Sequence, residues 1–512
     1  MELGVTQVPT ILQEILAKKK THKICHATRN VPLNMPNLEQ IFVIAEIKRA
    51  SPSAGKISEI LEPSVLAESY LQAGALAISV LCEQDYFHGD LEDLRVVKNA
   101  FKSACVLRKD FITEVEQIKE AYDFGADMVL LIAAVFLDEN NGGFARLLEL
   151  YNACKIWNLT PLIEVHNVFE VEFIAPLNAS LIGVNSRNLH TFGIDKIRAY
   201  NLLDSIKCVN PNAKVIFESS LNCSFDGFVV GNLGFDGILC GSYLVRSKNP
   251  KETLKKLKSA MQKGKESTNA FYKNVFKLLD SALGFVKICG ITNTEDAKMC
   301  AKALYELRQE NIEKVGALGF ILEPKSPRFV QDLNGILNVL KDYPNVLKVA
   351  VIKDDVKQMQ KALEFYQSGK IDALQLHGVK SQYFGGMDLK EAEFAYYAVV
   401  NVGLKKDLED LDELSSPFVL LDSKSALGGG SGECIDIGVL ESLEMQYLCV
   451  AGGVGIQNIV TLKQMGAKML DINSSIEKCA GNKDKDKLQA LISNLKDYLY
   501  EHKIFTGEMQ DT

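Results

Sequence analysis

Short apolar runs punctuate the chain from end to end, and most follow a stretch of helical spacing that closes near a glycine. Thr10 to Lys20 has the pattern of an amphipathic helix. Glu62-Pro63-Ser64 marks a helix start with proline in the first turn, and that helix runs to about Ala73 before Gly74 and the apolar ALAISVLC. Helix 114–124 ends at Gly125 before MVLLIAAV, and a helix around 143–157 precedes TPLIEV. The apolar runs predict strands at 41–48, 75–82, 104–109, 128–135, 160–165, 180–185, 214–219 and 237–241. Eight strands alternating with helices are what a (β/α)8 barrel requires. Residues 249–283 break the rhythm with a Lys-rich, helical stretch. The count then restarts at 284–290, 314–320, 347–352, 373–378, 394–402, 418–422, 447–453 and 468–474. The expected architecture is α/β, with two tandem (β/α)8 TIM barrels at 1–255 and 284–512 and a helical connector at 256–283. A doubly wound sheet is the alternative, but two consecutive runs of eight favour barrels.

The first strand carries the most informative stretch, IFVIAEIKRASPSAG, from Ile41 to Gly55. Side chains alternate along a strand, so Ile44, Glu46 and Lys48 share one face and Val43, Ala45 and Ile47 the other. Both faces start apolar, as in a parallel strand covered on both sides. Glu46 and Lys48 fall at its C-terminal end, where parallel α/β proteins place ligands.

The net charge of −8, from 57 basic and 65 acidic residues, argues against non-specific nucleic-acid binding. A phosphate ligand stays compatible with it, because a few local donors suffice. The longest apolar run, Met128 to Leu137, is far shorter than the roughly 20 residues needed to cross a bilayer, and the N-terminus lacks an apolar signal core. Twelve scattered cysteines without a CxxC pair suit reduced thiols in a cytoplasm. Of seven histidines only one falls among the candidate site residues, with no ligand-spaced cluster there, which points to no metal, and nothing points to another cofactor.

Barrel strand ends form a ring at one mouth, so distant residues converge there. In the first half the candidates come as i, i+2 pairs: Glu46/Lys48, Lys109/Phe111 and Asn185/Arg187, with Glu164 near the end of its strand. Two lysines and two glutamates in a partly dry site shift one another's pKa values, as acid–base chemistry needs. Ser51 and Ser53 in the first loop, and Gly241-Ser242 after the eighth strand, suit a phosphate. AEIKRASPSAG, VLRKDF, PLIEVHN, IGVNSRNL, FESS and ILCGSYL follow in the order and near the spacing of indole-3-glycerol phosphate synthase, so residues 5–255 resemble that family. The resemblance implies Lys109 as general acid for ring closure, Lys48 on the substrate carboxylate and Glu164 in later proton transfers. It implies orienting roles for Glu46 and Asn185, phosphate contacts from Ser51, Ser53, Gly241 and Ser242, a cavity lined by Phe111 and Arg187, and a substrate contact from Ser219 of FESS. Asp90 departs from the pattern, standing where serine is expected.

The second half offers Cys289 at the end of GFVKICG, Arg328 in SPR, Gln375 and His377 in ALQLHG, and Asp422 at the end of FVLLD. GGSG (429–432), AGG (451–453) and DINSS (471–475) supply glycines and small polar residues that admit a phosphate close to the backbone. A thiol facing a carboxylate across a barrel mouth can act as base to its acid if the thiolate is stabilised. In this order the motifs resemble phosphoribosylanthranilate isomerase over about 284–480. That resemblance implies Cys289 as general base, Asp422 as general acid and Arg328 facing the anthranilate. Gln375 and His377 would line the site, and Gly430, Gly452, Gly453 and Ser474 would lie at the phosphate.

Together the halves resemble fused bifunctional enzymes of tryptophan biosynthesis, whose isomerase product is the synthase substrate. The expected substrates are small phosphosugars, with no nucleic-acid or membrane partner, acting on a monomer. Two alternatives are a barrel that is only a phosphosugar-binding scaffold, and a histidine-pathway isomerase in the second half. The presence of Lys109, Glu164, Cys289 and Asp422 argues against the first, and Cys289 on the first strand against the second.

Overall fold

The computed structural model describes residues 10–19, 23–52, 55–57, 59–60, 62–187, 193–310, 312–408, 411, 414–424, 435–441 and 447–506. The chain divides into two compact units, Met1–Glu266 and Ser267–Thr512. Each contains a closed barrel of parallel strands.

The first barrel is built from β1 (Phe42–Ile47), β2 (Ala77–Leu81), β3 (Cys105–Lys109), β4 (Met128–Ile132), β5 (Thr160–Val165), β6 (Leu181–Asn185), β7 (Lys214–Glu218) and β8 (Gly237–Cys240). Every strand pairs with its neighbours in sequence, and β8 closes on β1. The second barrel repeats this with β9 (Phe285–Ile288), β10 (Gly316–Ile321), β11 (Val346–Ile352), β12 (Ala373–His377), β13 (Tyr396–Val402), β14 (Val419–Ser423), β15 (Leu448–Val450) and β16 (Ala467–Ile472). β16 closes on β9, setting Lys287 opposite Asp471. All of β1 is buried, as its two-sided apolar pattern requires, including Glu46.

Every expected barrel strand is present, with ends displaced by three residues at most. The largest corrections are at 447–453, where the strand stops at Val450, and at 128–135, where it stops at Ile132 and Ala133–Phe136 forms one helical turn. A continuous apolar run carries no periodicity to separate a buried strand from a buried helix. The 256–283 stretch is divided between the units. Its first part completes the helix Pro250–Glu266, and its second contains the helix Phe271–Asp280.

Local chemistry starts the helices where the strands end. Asn167, Asp195, Asn293 and Asp355 each accept a backbone N–H from the first turn of the helix they precede, a cap typically contributing about 1 kcal/mol. Asp90 does the same for helix Leu91–Ala100, accepting from Glu92 N at 2.8 Å. This residue, which departs from the family pattern, is therefore an exposed N-cap. Helix Ser224–Leu233 meets helix Pro250–Glu266 at glycines: a Cβ on Gly231 would collide with Met261 O, and one on Gly264 with Phe228 O. The two backbones come closer than side chains would allow.

Candidate active sites

In the first barrel, Glu46, Lys48, Ser51, Lys109, Phe111, Glu164, Asn185, Arg187, Ser219, Gly241 and Ser242 line one cavity at the C-terminal strand ends. Ser53, also expected here, lies outside the described residues. The sequence reading missed the residue that completes the cluster. Glu218, at the end of β7, and Glu164 on β5 each accept a hydrogen bond at 2.7 Å from Lys109 Nζ. Lys48 Nζ donates to Glu46 Oε1 at 3.0 Å. Glu218 stands in the FESS motif, and strand alternation already put it on the inward face with Ile216.

The two carboxylates are not equivalent. Burial raises the pKa of Glu164, but Lys109 on one side and His166 on the other outweigh it and hold Glu164 well below the usual range. His166 stands 3.2 Å from Glu164 Oε1 and 3.0 Å from Glu170 Oε2. Burial disfavours its charge, yet those two carboxylates lift the imidazole to about 10. Glu218 has no such second cation. Burial, with Glu164 nearby, pushes it up to about 7 against the pull of Lys109. Lys109 itself is held above its ordinary value, because Glu164, Glu218 and Glu46 outweigh its desolvation. The site thus contains a fixed ammonium, an ionised carboxylate and a carboxyl able to exchange a proton near neutrality.

Glycines make the room. A Cβ on Gly183 of β6 would collide with Glu218 Oε1, and one on Gly241 would lie 2.6 Å from Glu46 Oε1. Ser219 and Ser220 follow Glu218 with φ of 71° and 50°, left-handed conformations that non-glycine residues rarely take. A 2.6 Å hydrogen bond between the Ser220 and Ser186 hydroxyls helps retain this turn, which faces the cavity.

The second barrel gathers Cys289, Arg328, Gln375, His377, Asp422, Gly452, Gly453 and Ser474 around its own cavity. Gly430 lies outside the described residues. Asp422 is buried at the end of β14, and burial, with Asp471 nearby, raises it to about 6. His377 Nε2 stands 3.8 Å from Asp422 Oδ2. Burial, with Lys353 and Lys287 nearby, lowers His377 to about 4, so the imidazole is neutral at physiological pH. Gln375 is fixed by Tyr397, whose hydroxyl donates to its Oε1 at 2.8 Å. Arg328 is gripped by Glu477, with Nε 3.0 Å from both carboxylate oxygens and one terminal nitrogen 2.7 Å from Oε2. Glu477, like Asp471, was not among the expected residues. Gly452 and Gly453 have φ of 71° and 60°, and a Cβ on Gly452 would lie 2.7 Å from Asp422 Oδ1. They bring backbone against the acid without a side chain.

Two closed barrels, each with an acid–base cluster at its C-terminal mouth, define a pair of α/β-barrel enzyme sites in one chain. Residues 8–257 match the model of the indole-3-glycerol phosphate synthase family, and 286–494 that of N-(5'phosphoribosyl)anthranilate isomerase. The tryptophan biosynthesis protein TrpCF of Helicobacter pylori is 30% identical over 96% of this chain and 100% of its own length. The indole-3-glycerol phosphate synthase of Aquifex aeolicus is 40% identical over 42% of this chain and 80% of its own. Among solved structures, phosphoribosyl anthranilate isomerase from Thermotoga maritima is 27% identical, with a TM-score of 0.35, covering 42% of this chain and 99% of that one.

The chain belongs to the TrpCF family of bifunctional tryptophan-biosynthesis proteins. Its second barrel isomerises N-(5-phosphoribosyl)anthranilate to 1-(2-carboxyphenylamino)-1-deoxyribulose 5-phosphate, and its first converts that product to indole-3-glycerol phosphate with loss of CO₂ and water. The scaffold alternative for one barrel is not favoured, since both match catalytic families.

Proposed function

We propose that Lys109 is the general acid of ring closure in the first barrel and that Glu164 and Glu218 manage its proton. The observation carrying this is the shared ammonium, 2.7 Å from each carboxylate. Protonating the substrate carbonyl assists attack by the aromatic ring, and Glu218, poised near neutrality, exchanges a proton during the later loss of water. Lys48 holds the departing carboxylate, while Glu46 and Asn185 orient it and the sugar hydroxyls. Ser51, Ser219, Gly241 and Ser242 cradle the phosphate, and Phe111 and Arg187 flank the ring.

In the second barrel, Asp422 protonates the furanose oxygen as the ring opens to an iminium. Cys289 then takes the proton from C2. Returning it at C1, while the C2 hydroxyl proton passes to the Asp422 carboxylate and restores the acid, completes the Amadori shift with no external oxidant, since C2 is oxidised as C1 is reduced. Burial near Asp471 keeps a fraction of Asp422 protonated at neutral pH, as an acid requires. Arg328, fixed by Glu477, faces the anthranilate, Gln375 and His377 complete the wall, and Gly452, Gly453 and Ser474 meet the phosphate.

Each cavity is lined by residues of one unit, so a monomer suffices for both reactions. Eleven free thiols among the described residues suit a reducing cytoplasm. Assaying each half-reaction on purified protein, with each intermediate supplied separately, tests the assignment. Rates indifferent to loss of Lys109 or of Cys289 would overturn it.

A further inference from the structure

Lys287 is fully buried, and burying an ammonium is costly unless it is paired. It points with Cys289 to one face of the chain, two residues apart at the end of β9. Its Nζ donates to Asp471 Oδ2 at 2.8 Å across the β9–β16 pair. Opposite both stands Gly319 on β10, with no side chain. A Cβ there would lie 2.7 Å from Cys289 Sγ and 2.8 Å from Lys287 Nζ. The glycine leaves the space in which thiol and ammonium meet. Asp471 keeps its second oxygen, Oδ1, buried and without a hydrogen-bond partner, on the wall of the same cavity.

We propose that Lys287 is the fixed counter-ion that favours the thiolate of Cys289 over its thiol when the base acts in the isomerase site, with Asp471 anchoring the ammonium. Lys287 is a positioning residue and keeps its own proton throughout. The thiolate takes the C2 proton, becomes a thiol, and returns the proton at C1. Burial is the largest effect and leaves the Cys289 thiol raised overall; Asp471 adds to the rise, and Lys287 opposes it. Lys483 also favours the thiolate, Tyr397 on β13 lies close enough to interact with it, and Arg328 and Asp422 line the same cavity.

This inference rests on Cys289 being the isomerase base, and the test separates the two. Iodoacetamide labelling of Cys289 is followed against pH by peptide mass mapping in the full-length protein and in Lys287→Met, Lys287→Arg and Asp471→Asn. In Lys287→Met the labelling midpoint should rise by about one pH unit or more, the usual size of a neighbouring-charge effect. The acid limb of isomerase kcat/KM should move with it. Lys287→Arg should restore most of the shift, and Asp471→Asn should move the midpoint down. Loosened packing would move Lys287→Met and Asp471→Asn the same way, so opposite signs are the signature of charge. An unchanged midpoint in Lys287→Met, or shifts of one sign, overturns the role of Lys287. If Lys287→Met fails to fold, the sign in Asp471→Asn decides, and no downward shift overturns it. If labelled Cys289 leaves isomerase activity intact, the base assignment falls instead.

Discussion

Glu164 and Glu218 share the ammonium of Lys109, each accepting at 2.7 Å, yet among the described residues only Glu164 has a second cation, His166, beside it. Stability should therefore depend on pH through the two in opposite directions. Glu218 is raised from 4.5 to about 7, so its contribution is full below the unfolded value and is lost as pH rises through about 7. Glu218→Gln removes that loss. Its Tm relative to the parent should climb between pH 5 and pH 8, because a pKa that differs by one between folded and unfolded chain is worth about 1.4 kcal/mol. Glu164 is depressed, so its contribution is present above the unfolded value and disappears as pH falls. Glu164→Gln should accordingly cost stability at pH 7, with the cost shrinking as pH falls below the unfolded value towards the depressed folded one. Tm differences that stay flat across these ranges would contradict the asymmetry.

Gly183→Ala tests the cluster without touching an ionisable group. Its methyl would occupy the place of Glu218 Oε1, inside a barrel with no slack. Overpacking of this kind costs about 1–3 kcal/mol, and displacing a catalytic carboxylate by about 1 Å can cost 10²-fold in rate. Synthase kcat should fall by about that factor while isomerase kcat stays within about threefold. Equal loss of both activities would indicate general damage.

Much of this was legible in the sequence, and the misses have physical causes. Strand periodicity and glycine-ended helices located both barrels, and Lys109, Glu164, Cys289 and Asp422 could be placed at strand ends because parallel barrels put chemistry there. Glu218 escaped because it closes a largely apolar run, VIF, and its partner Lys109 lies far away in sequence. Lys287 and Asp471 escaped for the same reason. Both lie in largely apolar strands far apart in sequence, and only the closure of β16 on β9 makes them a pair. Glu477 escaped because it lies beyond the last barrel strand, in the ribbon Glu477–Cys479/Asn482–Lys483. The helical turn at Ala133–Phe136 was hidden inside a uniformly apolar run.

Glu477→Gln should weaken the isomerase chiefly in KM. The bidentate grip orients Arg328, and an amide keeps the shape but surrenders the charge and one acceptor. Lys483, 3.2 Å from the same carboxylate, loses its counter-ion too. In its proposed place facing the anthranilate, a mobile Arg328 would bind it less well without altering the proposed acid or base. The expected result is a KM raised about tenfold, with kcat within about threefold and the synthase unaffected. A fall in kcat at constant KM would place Arg328 in the chemical step.

The two chemistries should separate by single substitutions. Lys109→Ala removes the proposed ring-closure acid and Cys289→Ala the proposed isomerase base, and the two residues lie in different compact units with separate cavities. Removing a general acid or base typically costs about 10² to 10⁴ in rate. Sites without shared partners behave almost independently, so Lys109→Ala should keep isomerase activity within about threefold, and Cys289→Ala the synthase. Lys109→Ala carries a further consequence, because Glu164 and Glu218 lose their common ammonium. The remaining carboxylates then repel, and the variant should be less stable at pH 8 than at pH 5 relative to the parent, a dependence Cys289→Ala should lack. Mixing the two variants should restore the full conversion, through intermediate that diffuses from one molecule to the other. The decisive measurement is each half-reaction on each variant, with thermal unfolding alongside. Loss of both activities from either substitution, in a protein still folded, would mean that the sites are not independent.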